Sequence, residues 1–428
     1  MPRHRGPNCE IWDEGISLST TFSPELAPGQ RRTQAMALLW GIVTAATIHV
    51  GAITVAAFGS TIERDLHITH TLLGTIQTGF YFGNALGSLG FAWLIRRAGL
   101  KTAAVLALGA AMAGNLLCSV PQVLPLFLGR ACLGVAISGM ALFASCVVVN
   151  AFPKRQHALL SLVHAAFVCG AGLGMFIAVP LVSLVGVWWH IPLLFAGILV
   201  LPLAALGTLG DLRSDESIAV ENRQALLAAC REPAMWRASA VLAGYILAET
   251  AFILFFPIYA QELGRDPAAA ARTAGVFIGG IAAGRLFVAL SGASTSGVRT
   301  VIVLAVSGGA VLLLSVLPWP APVSGVLLFV GGLLAGPTAP LAISIAVNRA
   351  RQHRHEILAL TNLLLCLSGL AAGILAGVWS DAISVRTALA VSAFLFSISF
   401  VPILALRAVP VERPPVADRH APEQDVIP

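Results

Sequence analysis

The stretch ILAETAFILFF, Ile246 to Phe256, sets one carboxylate, Glu249, in the middle of an apolar run. Four more ionisable side chains lie well inside such runs: His49, Arg130, His164 and Arg285. An ionisable group at the centre of a bilayer costs a few kcal/mol (about 2.5–3.5 by insertion measurements), so each needs a reason to be there. Burial disfavours a charged carboxylate and a nearby cation favours it. A Glu249 that moves between two such environments would load and release a proton. The plainer readings are a permanent ion pair with Arg285 or Arg130, or a protonated acid bonded to a backbone carbonyl.

Arg285, in GGIAAGRLF, is the natural handle for an anion, because a guanidinium stays charged and grips a carboxylate with two parallel bonds. It is equally placed to pair with Glu249 or to reach the membrane surface with its long stem. Arg130 divides between a functional role and pinning helices. His49 has an ordinary pKa that suits switching near neutrality, but a lone His on an apolar helix is more often a neutral hydrogen-bonding core residue. His164 reads the same way. Gln77 and Asn84, seven apart, would share a helix face and bond a polar solute. Tyr245, Tyr81 and Trp40 are candidates for stacking on a substrate, with aromatic packing as the default.

Other chemistry leaves no mark. There is no Gly-rich phosphate loop ending in Lys-Ser/Thr, no His-Glu-x-x-His, no Gly-x-Ser-x-Gly and no Cys-x-x-Cys. The seven cysteines fall mostly in apolar runs and read as small hydrophobes, not as disulfides or metal ligands. No cofactor, no metal and no enzymatic activity are expected.

The elements that position these residues must cross a membrane. More than half of the chain is hydrophobic, 11% is charged and the mean hydropathy is +0.86; a soluble chain carries roughly a quarter charged residues. The net charge of +6 is therefore no sign of a nucleic-acid partner. Crossing takes about 20 apolar residues for ~30 Å of hydrocarbon. Such runs occur near 36–59, 71–95, 102–120, 123–150, 158–181, 188–209, 236–260, 271–291, 300–317, 324–347, 357–380 and 387–408. The expected fold is all-α integral membrane, twelve transmembrane helices in two six-helix bundles. They would occupy 35–209 and 236–408, with a polar tail at 1–34, a central loop at 210–235 and a Pro-rich charged tail at 409–428. The polar start lacks the apolar core of a cleavable signal, so the first run is read as both signal and span.

Positive residues orient the chain. Alternate loops carry Arg31/Arg32, Arg96/Arg97/Lys101, Lys154/Arg155, Arg213/Arg223/Arg231/Arg237 and Arg349/Arg351/Arg354; the opposite loops carry Arg64, Arg265, Arg272 and Arg386. Both termini are expected in the cytoplasm, with the chain multi-pass in an inner or plasma membrane. Asp65 and Asp381 fall at the outer ends of spans, where water reaches them.

The two halves echo each other. RRAGLKT (Arg96–Thr102) follows span two and STSGVRT (Ser294–Thr300) follows span eight; Gly99, Lys101 and Thr102 match Gly297, Arg299 and Thr300. Parallel six-span repeats are a known transporter architecture.

With that duplication, AWLIRRAGLK (Ala92–Lys101) resembles the loop Gly-x-Leu-x-Asp-Arg-x-Gly-Arg-Arg of the major facilitator superfamily, matching at Leu94, Arg97, Gly99 and Lys101. GRACLG supplies Arg130 and Gly134 in that family's span-four Arg-x-x-x-Gly pattern. LLGTIQTGFYFGNALGSLG is similar to the sugar-permease branch that contains fucose/proton symporters. The resemblance implies a secondary transporter whose cytoplasmic loop (Arg96, Arg97, Gly99, Lys101) moves with conformation, and a span-four Arg that tunes proton release. It also implies that spans two, five, eight and eleven line the seam between halves. Related organic-anion carriers place an Arg in span eight. Two departures stand out: Arg96 occupies the position of the family's Asp, and the Gly-Pro of drug/proton antiporters is replaced by Gly174-Met175.

Gly-x-x-x-Gly spacing lets helix backbones approach closely. Gly83 and Gly87, Gly280 and Gly284, and Gly373 and Gly377 are expected at that seam. The reading is a proton-coupled transporter, a symport permease for a small polar or anionic solute, acting as a monomer in the bilayer by alternating access. The alternatives are a drug or metabolite efflux antiporter, or a non-transporting receptor or scaffold on a carrier fold.

Overall fold

The computed structural model describes residues 28–152, 156–209, 223–290, 297–349 and 354–405. Most of the two tails, residues 210–222 of the central loop, and the loop cations Lys154, Arg155, Arg213 and Arg351 lie outside the described residues.

The described chain is helical because a backbone in hydrocarbon must satisfy its own donors and acceptors. The first half runs α1 (Pro28–Ala52), α2 (Thr54–Ala57), α3 (Gly59–Leu66), α4 (His70–Cys118), α5 (Val123–Ala151), α6 (Gln156–Val185), α7 (His190–Ile198) and α8 (Val200–Leu206). After α9 (Arg223–Cys230) come α10 (Pro233–Leu254), α11 (Phe256–Glu262), α12 (Pro267–Leu290), α13 (Val298–Ser315) and α14 (Ala321–Ala335). The chain continues through α15 (Thr338–Arg349), α16 (Arg354–Ala382), α17 (Val385–Ile398) and α18 (Val401–Leu404).

Among the described residues, ten helical segments are long and apolar enough to cross a membrane. One of them, α4, has 49 residues, which at 1.5 Å per residue would be about 74 Å, far longer than the hydrocarbon. It breaks at Gly99, whose φ of 81° and ψ of 169° are open to glycine and costly for any other residue. The loop motif therefore reverses the chain, and α4 holds spans two and three. With the shorter apolar segment His190–Leu206, the helices fit the twelve-span pattern. Around this reversal Arg97 lies 5.0 Å from the Trp93 ring and Lys101 donates to the Leu209 carbonyl. The matching glycine of the second half, Gly297, is only the N-cap of α13 with an ordinary φ of −82°, so the echo is one of sequence rather than of backbone shape.

Two helix pairs make the main contact between the halves: α4 packs along α16, and α6 along α12. The glycines divide differently from the expectation. A Cβ on Gly83 would meet the Ala131 carbonyl, and one on Gly87 would meet Ser138, both on α5. Gly280 and Gly284 press against Phe329 and Leu333 of α14 in the same way. These four serve close packing within a half. Gly373 and Gly377 do face the other half, against the backbone of Gly74 and His70 on α4.

Candidate functional site

Two arginines, Arg130 buried and Arg285 half-buried, anchor the middle of the molecule. On α5, Arg130 is 3% exposed. One terminal nitrogen donates to the carbonyl of Ala52 and the other to Gln77 Oε1 at 2.7 Å, while the Phe80 ring lies 4.8 Å from the guanidinium carbon. Its Nε has no partner. The Ala52 carbonyl is available because α1 ends there, and the last carbonyls of a helix have no intrahelical donor.

On α12, Arg285 repeats the device. Its Nε donates to the Gly336 carbonyl at 3.2 Å. That carbonyl is free because the residue four positions on is Pro340, which has no N–H to give. A terminal nitrogen of Arg285 donates to the Tyr245 hydroxyl at 2.8 Å. The same hydroxyl faces Glu249, one helical turn further along α10, and Glu249 lies within electrostatic reach of Arg285. Among the described residues the ion pairs are Arg64–Asp65 at 3.6 Å and His70–Glu63 at 2.6 Å. Glu249 therefore makes no direct pair with either arginine, and Tyr245 stands between acid and base.

Tyr81 connects the two sites. From α4 it reaches across the seam to Thr250 Oγ1 at 2.8 Å, next in sequence to Glu249. Its ring occupies the space a side chain would take at Gly369 on α16. It is close enough to both Glu249 and Arg130 to feel their charge. The array runs Gln77, Arg130, Tyr81, Thr250, Glu249, Tyr245, Arg285, with members from both halves.

The remaining candidates fall to either side. His49 Nδ1 bonds its own helix at the Ala45 carbonyl, 2.8 Å away, and its ring stacks on Phe167 at 5.1 Å. His164 meets the same Phe167 edge-on at 5.8 Å. Asn84 shares the α5-facing side of α4 with Gln77 but bonds Ser138, away from Arg130. Trp40 donates to the Pro202 carbonyl at 2.9 Å and packs edge-on against Phe143, which makes it a packing residue.

The scaffold that holds this array is one seen before. The sequence profile of the Major Facilitator Superfamily matches residues 39–373. The chain belongs to the Major Facilitator Superfamily. Its fold is similar to a bacterial homolog of the human lysosomal transporter Spinster in an inward-facing and occupied conformation, with a TM-score of 0.68 and 12% identity over 88% of this chain and 97% of that one. The unoccupied inward-facing form of that homolog gives 0.66 with 12% identity, covering 87% and 95%. The transporter FucP in the outward conformation gives 0.63 with 15% identity, covering 89% and 100%. No curated protein sequence matches the chain significantly. At these identities the neighbours establish the shared transporter fold of the superfamily and leave the site residues to be read from this chain.

Sequence reasoning missed Thr250 and the placement of Tyr245 and Tyr81; Gly369, in line with Gly373 and Gly377, was legible as a seam glycine but not as the seat of the Tyr81 ring. Pro340, four residues after Gly336, is the one signal that a free carbonyl awaited a donor.

Proposed function

We propose that this superfamily member is a secondary transporter for a small organic anion, coupled to protons through Glu249, with access alternating between the two sides. The observation that carries the reading is the array across both halves, in which two guanidiniums, buried Arg130 and half-buried Arg285, stand against a single carboxylate, Glu249, that lies within reach of Arg285. A buried cation without a matching acid is costly, and the unpartnered Nε of Arg130 marks where compensation is missing. An anionic solute would supply it. Protonation of Glu249 would raise the net positive charge of the array and favour the anion; loss of that proton would return Arg285 to the Tyr245–Glu249 pair and favour release. Proton and anion would then move together, as a symport.

By the positive-inside rule the arginine-rich loops favour Gly99 and both termini on the cytoplasmic side. The cell or inner membrane and a monomeric state complete the proposal. The Gly-Pro element of drug/proton antiporters is absent at Gly174-Met175, which sets the efflux reading second.

A thermal-shift screen of the purified protein tests this first, because a ligand that binds only the native state raises apparent stability. Organic acids, sugars, amines and lipophilic cations are compared at two pH values on the wild type and Glu249→Gln. The expected hit is a carboxylate whose pH dependence disappears in Glu249→Gln, followed by uptake into proteoliposomes under an imposed pH gradient. A hit indifferent to pH and to Glu249 would return that acid to a structural role; binding with no flux would favour a receptor.

A further inference from the structure

A second contact between the halves lies away from the array, where α4 begins and α16 ends. Asp381, near the end of α16, places Oδ1 3.1 Å from the backbone N of His70 and Oδ2 2.8 Å from that of Thr71. These are the opening residues of α4, whose first N–H groups have no intrahelical acceptor and carry the positive end of the helix dipole. The carboxylate thus caps a helix of the other half, 310 residues away in sequence. Thr69 is the cap of α4 within its own half, but it takes only the Leu72 N–H, so the two earlier donors are left to Asp381.

Below the carboxylate the two helices touch through backbone. A Cβ on Gly377 would lie 2.6 Å from the His70 carbonyl, one on Gly373 2.6 Å from the Gly74 carbonyl, and one on Gly74 2.0 Å from the Gly373 carbonyl. No side chain fits in this seam. Further along, the same pair is held apart by the Tyr81 ring at Gly369, and then joined by an exposed side-chain bond, Asn362 Nδ2 to Ser88 Oγ at 3.1 Å. The helices are in backbone contact at one end and bridged by side chains at the other. Neighbouring elements brace the tight end. Gln261 of α11 donates to Ser60 of α3 at 2.6 Å, and the His70 ring stands edge-on to Phe255 at 6.1 Å while pairing with Glu63. Burial holds the Glu262 carboxyl beside them above the ordinary carboxylate range, with His70 acting in the opposite sense.

We propose that Asp381, seated on the first turn of α4 over the Gly74–Gly373–Gly377 seam, is the latch that closes this end of the transporter, and that its release opens the array to that side. The inference rests on the alternating-access reading above. A carboxylate on two backbone N–H groups suits the task. The bonds are strong because they are charge-assisted, yet no apolar surface must be unpacked to break them, and smooth glycine backbones below separate without interdigitated side chains.

Hydrogen–deuterium exchange of the full-length purified protein reads the latch without any substrate. Asp381→Asn keeps the shape but loses the charge and one acceptor. Gly74→Ala leaves the carboxylate and wedges the seam. Both are expected to speed exchange in the peptides covering the start of α4 and the end of α16, Asp381→Asn by about tenfold for the loss of charge-assisted bonds. Both should also slow exchange around Ser88 and Asn362, as the opposite end closes. Faster exchange confined to the first turn of α4, with Ser88 and Asn362 unchanged in both variants, would make Asp381 a local helix cap and overturn the latch. So would unchanged exchange at both ends. A variant that aggregates is replaced in the comparison by the other. A protein that shows the reciprocal change but carries no solute would sink the transport reading while leaving the latch standing.

Discussion

The two arginine sites are built alike and differ in one respect. Each guanidinium takes a carbonyl exposed at a break in a neighbouring helix, Ala52 for Arg130 and Gly336 for Arg285, and each is steadied by an aromatic ring, Phe80 or Tyr245. Arg130 is then completed by a neutral amide, Gln77, whereas Arg285 is completed by a phenol that leads to Glu249. On the proposed reading the first site is a fixed positive charge that would always attract an anion, and the second is one whose attraction a proton on Glu249 would retune.

Removing the fixed charge should have the largest effect. Arg130→Met would strand the Gln77 oxygen and the Ala52 carbonyl in a buried site, at about 1–3 kcal/mol for each unsatisfied group. Anion-induced thermal shift should vanish; a retained shift would show that the first site is only a helix pin. Glu249→Gln comes next. It should abolish uptake driven by a pH gradient while preserving exchange of labelled for unlabelled solute, and a carrier still driven by the gradient would remove Glu249 from the coupling.

Tyr245→Phe is a finer probe. It deletes the hydroxyl between Arg285 and Glu249, so acid and base meet directly or lose contact. The expected outcome is a changed pH profile of solute exchange, with rates down by roughly tenfold for a lost hydrogen bond to a charged group. An unaltered profile would make Tyr245 a spacer. The smallest effect is expected at His49. Its ring bonds its own helix and stacks on Phe167, so His49→Gln should cost less than about 1.5 kcal/mol, the worth of an ordinary hydrogen bond. Its pH profile should match the wild type; a displaced profile would bring His49 into the proton path.

Much of this was legible in the chain. Intramembrane charge is so costly that Arg130, Arg285 and Glu249 declared themselves by position, and the RRAGLKT motif marked a chain reversal that only Gly99 among its residues suits. The glycine pairs show the limit of such reading. Gly83 and Gly373 have the same local pattern, yet one admits α5 of its own half and the other α4 of the opposite half, because spacing reports that a neighbour comes close and not which neighbour. Asp381 was set aside for lying at the end of a span, and it turned out to hold the two halves together there.

By itself the sequence determined that this chain folds as membrane helices and which ionisable groups lie along them, since these follow from hydrophobic length and the cost of desolvating an ion. The tertiary structure alone decided that Tyr245 separates Arg285 from Glu249, that Tyr81 ties one half to the other, and that a carboxylate late in the chain caps a helix near its start. Such contacts depend on how helices distant in sequence are rotated and spaced against each other, and no local pattern of residues carries that information.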